Sequence, residues 1–89
     1  MPVGPHPSEV RALVLKTLRR LGATVYSEFQ VDETIIIERG RCLARSYRAD
    51  EFFAMWLVEL GLVQFYDEEG DMLLVINLLD DAPPARLAA

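Results

Sequence analysis

The sequence contains several short runs that are apolar at every position, and two of them constrain the fold most. They are Ile35–Ile37 and Met72–Ile76, and each is bounded by polar or charged residues. Ile and Val favour strands because branched side chains fit a pleated surface. A strand that is apolar at both parities needs packing on both of its faces. The chain therefore has to form a sheet that is covered on two sides, and the source of that cover is what most limits its fold.

One amphipathic helix is predicted over residues 8–21. Its apolar residues recur at spacings of three and four, which places them on one face; they are Val10, Leu13, Val14, Leu18 and Leu21. Ser8 is a preferred type of N-cap residue, and Gly22 supplies a C-terminal stop. A helix of this length covers only one face of a sheet.

After Gly22 the sequence has the character of antiparallel strands. We predict strands at Thr24–Gln30, Thr34–Arg39, Arg41–Arg48, Leu62–Tyr66 and Met72–Leu78, with a turn at Asp32-Glu33. Between the last two strands, Asp67 and Gly70 have the chemistry of a tight turn, so these strands form a hairpin. The predicted fold class is α+β, with an N-terminal helix packed on an antiparallel meander sheet of about five to six strands.

Residues 51–60 fit either a strand or a second helix. Asp50 and Gly61 would cap a helix, but a helix here would have no polar face. As a strand the segment extends the meander and puts Trp56 and Leu57 on opposite sides. We predict the strand, with the second helix as the alternative. A strand leaves one apolar sheet face uncovered within the chain, and monomers rarely expose large apolar patches.

Length and composition are those of a small soluble domain. The chain has 89 residues, of which 52% are hydrophobic, enough for one core. We predict one domain over 8–79, with a flexible lead-in over 1–7 and a flexible tail over 80–89. The single cysteine favours a reducing compartment. There is no signal-peptide pattern, and no apolar run approaches the roughly 20 residues of a membrane span. We therefore expect a cytoplasmic protein without membrane contact.

The residues able to do chemistry are few and scattered. His6 is the only histidine and lies in the lead-in, where nothing in the sequence fixes it. Cys42 has no second cysteine or placed base, so we interpret it as a small buried residue. The loop 67–71 is acidic but lacks the ligand spacing of an EF-hand, and we interpret it as a solvated hairpin tip. We predict no enzyme activity, no metal and no cofactor.

One candidate interaction patch combines arginine and aromatic residues. Arg39, Arg41, Arg45 and Tyr47 share one parity on two predicted adjacent strands, and Trp56 is a possible aromatic anchor. Arginine forks suit phosphate, and tyrosine can stack on a base. Weak binding of RNA or a phosphate ligand is therefore the alternative function, although a pI of about 4.7 makes nucleic acid an unfavourable partner.

The preferred hypothesis is a non-enzymatic protein-interaction or regulatory domain that self-associates through an apolar sheet face. Charge is also unevenly distributed: the first 49 residues hold eight Arg/Lys and five Asp/Glu, and the remainder hold one and nine. The basic part of one copy could meet the acidic part of another. The predicted partner is a second copy of the chain or another protein.

Overall fold

The computed structural model of the chain describes residues 6–79 and 85–86 and shows one helix over one sheet. Helix α1 (Pro7–Leu21) and a short 3-10 turn at Glu28–Gln30 come first. The strands are β1 (Asp32–Glu38), β2 (Arg41–Ala49), β3 (Phe52–Leu57), β4 (Leu62–Tyr66), β5 (Met72–Asn77) and β6 (Ala85–Arg86). Each pairs antiparallel with its neighbour in the chain, in the order β1 to β6. The predicted α+β meander is confirmed.

Helix α1 begins earlier than predicted, because His6 and not Ser8 is its N-cap. The His6 imidazole accepts a hydrogen bond from the Ser8 N–H at 3.1 Å, and the Glu9 carboxylate accepts one from the His6 N–H at 2.8 Å. Pro7 suits the first helical position, where its missing N–H costs nothing. The expectation that nothing fixes His6 was therefore wrong. The helix ends at Leu21, and Gly22 is its C-cap, as predicted, with a φ of 116°.

The predicted strand at Thr24–Gln30 was wrong, since the segment is a loop that ends in the 3-10 turn. The Gln30 side-chain oxygen accepts hydrogen bonds from the N–H groups of Tyr26 and Ser27, at 2.6 and 3.1 Å. Such local side-chain bonds offer the backbone an alternative to a strand ladder. The predicted turn at Asp32-Glu33 was also wrong: both residues belong to β1, where they pair with β2.

Residues 52–57 form strand β3, so the predicted strand is confirmed and the alternative second helix is wrong. β3 pairs with β2 on one side and with β4 on the other. Its residues alternate: Ala54 and Trp56 are buried, whereas Phe53, Met55 and Leu57 are half-buried. This two-residue period is that of a strand with one face on the core.

The β4–β5 hairpin is also confirmed. The Asp67 carboxylate accepts hydrogen bonds from the N–H groups of Glu69 and Asp71, both at 2.9 Å. Gly70 has a φ of 88°, which a residue with a Cβ rarely adopts. Asp and Gly thus close the turn as the sequence indicates.

Helix α1 packs on one face of the sheet and forms the core with it. Val10, Val14 and Leu18 of the helix are fully buried together with Tyr47 and Phe65 of the sheet. Burying one such side chain contributes about 1.5–3 kcal/mol. The contact layer between α1 and the sheet therefore accounts for most of the core. We call the opposite side of the sheet the far face. Among the described residues, no helix or other element packs on the far face as α1 packs on the helix side. The far face is formed by Phe53, Met55, Leu57, Leu62, Gln64 and Tyr66.

Candidate interaction surface

The far face is built by cross-strand pairs of β3 and β4. Phe53 lies opposite Tyr66, and Met55 lies opposite Gln64. Paired residues of antiparallel strands point to the same side, so these side chains form one continuous surface. The rings of Phe53 and Tyr66 are in tilted contact, with centroids 5.9 Å apart. The Tyr66 hydroxyl donates to the Gln64 side-chain oxygen at 2.9 Å.

This surface is concave and contains a groove of about 680 Å³. Its floor is apolar and comes from Phe53, Met55, Leu57 and Tyr66. All four are half-buried, so each still exposes apolar area that a partner could remove from water. Among the described residues that line the groove there is no histidine, cysteine or lysine. These lining residues therefore offer mainly apolar area and carboxylates to a partner.

The rim of the groove is charged and mostly acidic. Four carboxylates line it, from Asp50, Glu51, Asp67 and Glu68. They belong to the β2–β3 and β4–β5 turns, which lie at the same end of the sheet. Among the described residues of the rim one is an arginine, Arg48, whose guanidinium lies 5.6 Å from the centroid of the Phe53 ring. A negative end therefore borders the apolar floor.

On the helix face, one carboxylate joins α1 to the first two strands. Glu33 of β1 accepts hydrogen bonds from Arg11 of α1 at 2.8 Å and from Arg45 of β2 at 2.9 Å. Burial alone would raise the pKa of Glu33. The two guanidiniums outweigh burial and hold its pKa below the ordinary value. The charge of Glu33 is thus satisfied, and the cluster is a structural clamp.

Tyr47 lies beside this clamp and is completely buried. Burial, reinforced by the negative charge of Glu33, raises the pKa of the Tyr47 phenol to about 12. Its hydroxyl and the Trp56 indole N–H have no hydrogen-bond partner among the described residues. Arg45 lies 6.0 Å from the centroid of the Trp56 ring. Both aromatics therefore belong to the core and present no ring to a ligand.

The predicted patch of Arg39, Arg41, Arg45 and Tyr47 is not brought together on one face. β2 contains a bulge: Ile36 pairs with Ala44 but Ile37 pairs with Cys42, so Leu43 is the extra residue. A bulge shifts the alternation by one, which puts Arg41 and Arg45 on opposite sides of the sheet. Arg39 is in the β1–β2 turn, Arg41 is paired with Glu59, and Arg45 is paired with Glu33. Phosphate or RNA binding by these residues stays a prediction.

The remaining candidates are unremarkable in their surroundings. Cys42 is a half-buried thiol whose Sγ lies 3.7 Å from the Ala44 carbonyl oxygen. Asp67, Glu69 and Asp71 gather their carboxylates within 4.8 Å at the hairpin tip. Clusters of exposed acids are common at such turns, where they are solvated. The predicted flexible lead-in and tail lie largely outside the described residues.

Sequence reasoning missed both the clamp and the far-face groove. Arg11 and Glu33 are 22 residues apart, and only their opposite charges could have suggested a pair. The sequence predicted an uncovered apolar sheet face but did not identify the residues that form the groove. Phe53 and Tyr66 were not recognised as cross-strand neighbours.

Comparison of the chain with protein families, curated proteins and solved structures found no match. Within the described residues, no helix is long and apolar enough to cross a membrane. The function therefore has to be argued from the surfaces of the fold itself.

Proposed function

We propose that this chain is a non-enzymatic interaction domain that self-associates through the far face. The observation that carries the proposal is the groove on the side opposite α1, whose floor is formed by half-buried Phe53, Met55, Leu57 and Tyr66. Contiguous exposed apolar surface of this kind marks interaction sites in soluble proteins. A single cysteine suits a reducing environment, and we place the domain in the cytoplasm on that ground.

A second copy is the partner that fits this face best. Two sheets pack face to face at about 10 Å when both inner faces are apolar. A two-fold axis that runs between the sheets and across the strands reverses the strand direction of the partner. The acidic end of one copy, with Asp50 and Glu68, then lies over the end of the other copy that carries the β1–β2 and β3–β4 turns. Separation of the two acidic ends favours this orientation over one that brings them together.

The proposal is tested by the mass of the protein in solution. Met55→Lys puts a charge into the centre of the groove floor, and we expect it to weaken association at least tenfold by light scattering and sedimentation. Leu60→Lys is the matched control, since Leu60 is exposed in the β3–β4 turn and does not line the groove. A wild-type protein that stays monomeric at several hundred micromolar would overturn self-association through this face.

A further inference from the structure

Strand β1 is an open edge of the sheet. It pairs with β2 on one side, and no strand of the described residues pairs with its other side. Every second N–H and C=O of an edge strand points outward without a strand partner. Ile35, Ile36 and Ile37 of this edge are 46%, 40% and 63% exposed. The edge thus offers both backbone hydrogen bonds and apolar side chains.

Two of the usual protections of an edge strand, proline and lysine, are missing from β1. Its seven residues, Asp32–Glu38, include no proline and no lysine. The bulge of the β1–β2 ladder places its extra residue, Leu43, in β2. β1 therefore keeps a regular repeat along its outer side, which is the geometry that accepts another strand.

We propose that β1 pairs antiparallel with β1 of a second copy, about a two-fold axis that passes midway between the two strands at the level of Ile36. Paired residues must point to the same side of a sheet. A two-fold axis perpendicular to the sheet keeps every side chain on its own side. One residue at the centre of the pairing must therefore lie directly opposite the same residue of the other copy. Two registers then use most of the strand: one centred on Ile35 and one centred on Ile36.

Charge and side-chain type distinguish these registers. Centred on Ile35, the pairing puts Asp32 opposite Glu38 at both ends and Glu33 opposite Ile37. Like charges directly opposite are destabilising. Centred on Ile36, the pairing puts Ile36 opposite itself and Ile35 opposite Ile37. Thr34 then faces Glu38, and Glu33 lies next to Arg39 of the other copy. The second register gathers the six isoleucines and places no like charges directly opposite each other.

The edge interface is separate from the far face. With the axis perpendicular to the sheet, both α1 helices stay on one side, and the two far faces form one larger surface on the other. Pairing at the edge and packing at the far face use two-fold axes at right angles, which close a tetramer of dihedral symmetry when the two axes intersect. The two interfaces can therefore be removed one at a time.

Cysteine cross-linking tests the register directly. In a Cys42→Ala background, Ile36→Cys faces its own symmetry mate with Cβ atoms about 4.5–5.5 Å apart, within reach of a disulfide after small adjustment. With copper phenanthroline as oxidant, we expect Ile36→Cys to form covalent dimers at least tenfold faster than Ile35→Cys. Leu60→Cys, at a side chain that is 62% exposed and so more accessible than either isoleucine, gives an upper limit for the rate of random collision. Faster cross-linking at Ile35→Cys would overturn the register, and collision rates at both positions would overturn the pairing.

The mass in solution provides a second, independent test. Ile37→Lys should halve the assembly mass, whereas Leu60→Lys should leave it unchanged; the two wild-type side chains are 63% and 62% exposed, so neither change disturbs the core. An unchanged mass in Ile37→Lys overturns the edge interface. Loss of association in Ile37→Lys but not in Met55→Lys supports the edge and refutes the far face, so the two proposals fail separately.

Discussion

The buried hydroxyl of Tyr47 leads to a prediction that runs against the usual effect of truncating a core side chain. Tyr47 is completely buried, and its hydroxyl has no hydrogen-bond partner among the described residues. A buried polar group without a partner costs about 1–3 kcal/mol relative to its hydrated state. Tyr47→Phe removes that group and keeps the ring in place. We expect the variant to be about 1 kcal/mol more stable than the wild type at pH 7.

The same hydroxyl makes stability depend on alkaline pH. Burial raises the pKa of Tyr47 to about 12, above the ordinary value of 10.0. Because the folded-state pKa is the higher one, the unfolded state loses the phenol proton first, and the wild type loses stability as pH rises from 10 toward 12. Two pKa units correspond to about 3 kcal/mol once both states are ionised. The stability advantage of Tyr47→Phe should therefore widen by about 2 kcal/mol between pH 9 and pH 12, where the folded-state phenol is half ionised.

Urea unfolding followed by the fluorescence of Trp56, the only tryptophan, measures both effects. Protein concentration is held constant because association shifts apparent stability. Tyr26→Phe is the control, since Tyr26 is 77% exposed and its substitution should not change the midpoint at pH 7. A Tyr47→Phe variant that is less stable than wild type at pH 7 would refute the reasoning, because the hydroxyl would then have an acceptor.

Two further substitutions test the clamp and the hairpin. Glu33→Gln should lower the unfolding free energy by about 1–3 kcal/mol at pH 7, because two charge-assisted hydrogen bonds are weakened. Since the folded-state pKa of Glu33 is depressed, this contribution is present above pH 4.5 and is lost as pH falls through the folded pKa. The denaturation curves of variant and wild type should therefore converge in acid. A difference in unfolding free energy that stays constant with pH would contradict the clamp. Gly70→Ala should cost about 1 kcal/mol through its positive φ alone, because nothing lies within 4 Å of the added Cβ; an unchanged melting temperature would contradict this.

Sequence reasoning succeeded where the signal was local. The α1 stripe, the Gly22 stop, β3 and the β4–β5 hairpin all depend on residues within a few positions of one another. It failed where the structure depends on a contact between residues far apart in the sequence or on the hydrogen bonds of one side chain. The Gln30 side chain closes a turn that apolar alternation alone would make a strand.

The largest error at the candidate site came from one residue. The four-residue basic patch assumed unbroken alternation through β2, and the extra residue Leu43 breaks it. Only the pairing with β1 shows that bulge, because Leu43 is an ordinary strand residue by type. Tyr47 keeps the parity of Arg45 and faces the core, because it pairs with the buried Ala54 on the helix side of the sheet.

Strand β3 has one face in the core and one on the surface, and this division decides which of its substitutions report on association alone. Trp56 was the expected anchor of an interaction, yet it is buried against the helix side, while its neighbours Met55 and Leu57 lie on the far face. Substituting Trp56 would remove core packing and cost about 3–5 kcal/mol, so any loss of association would be confounded by unfolding. Changes at Met55 or Ile37 act on side chains that the core does not depend on. Association measured with them therefore reports on the surfaces of the domain rather than on its stability.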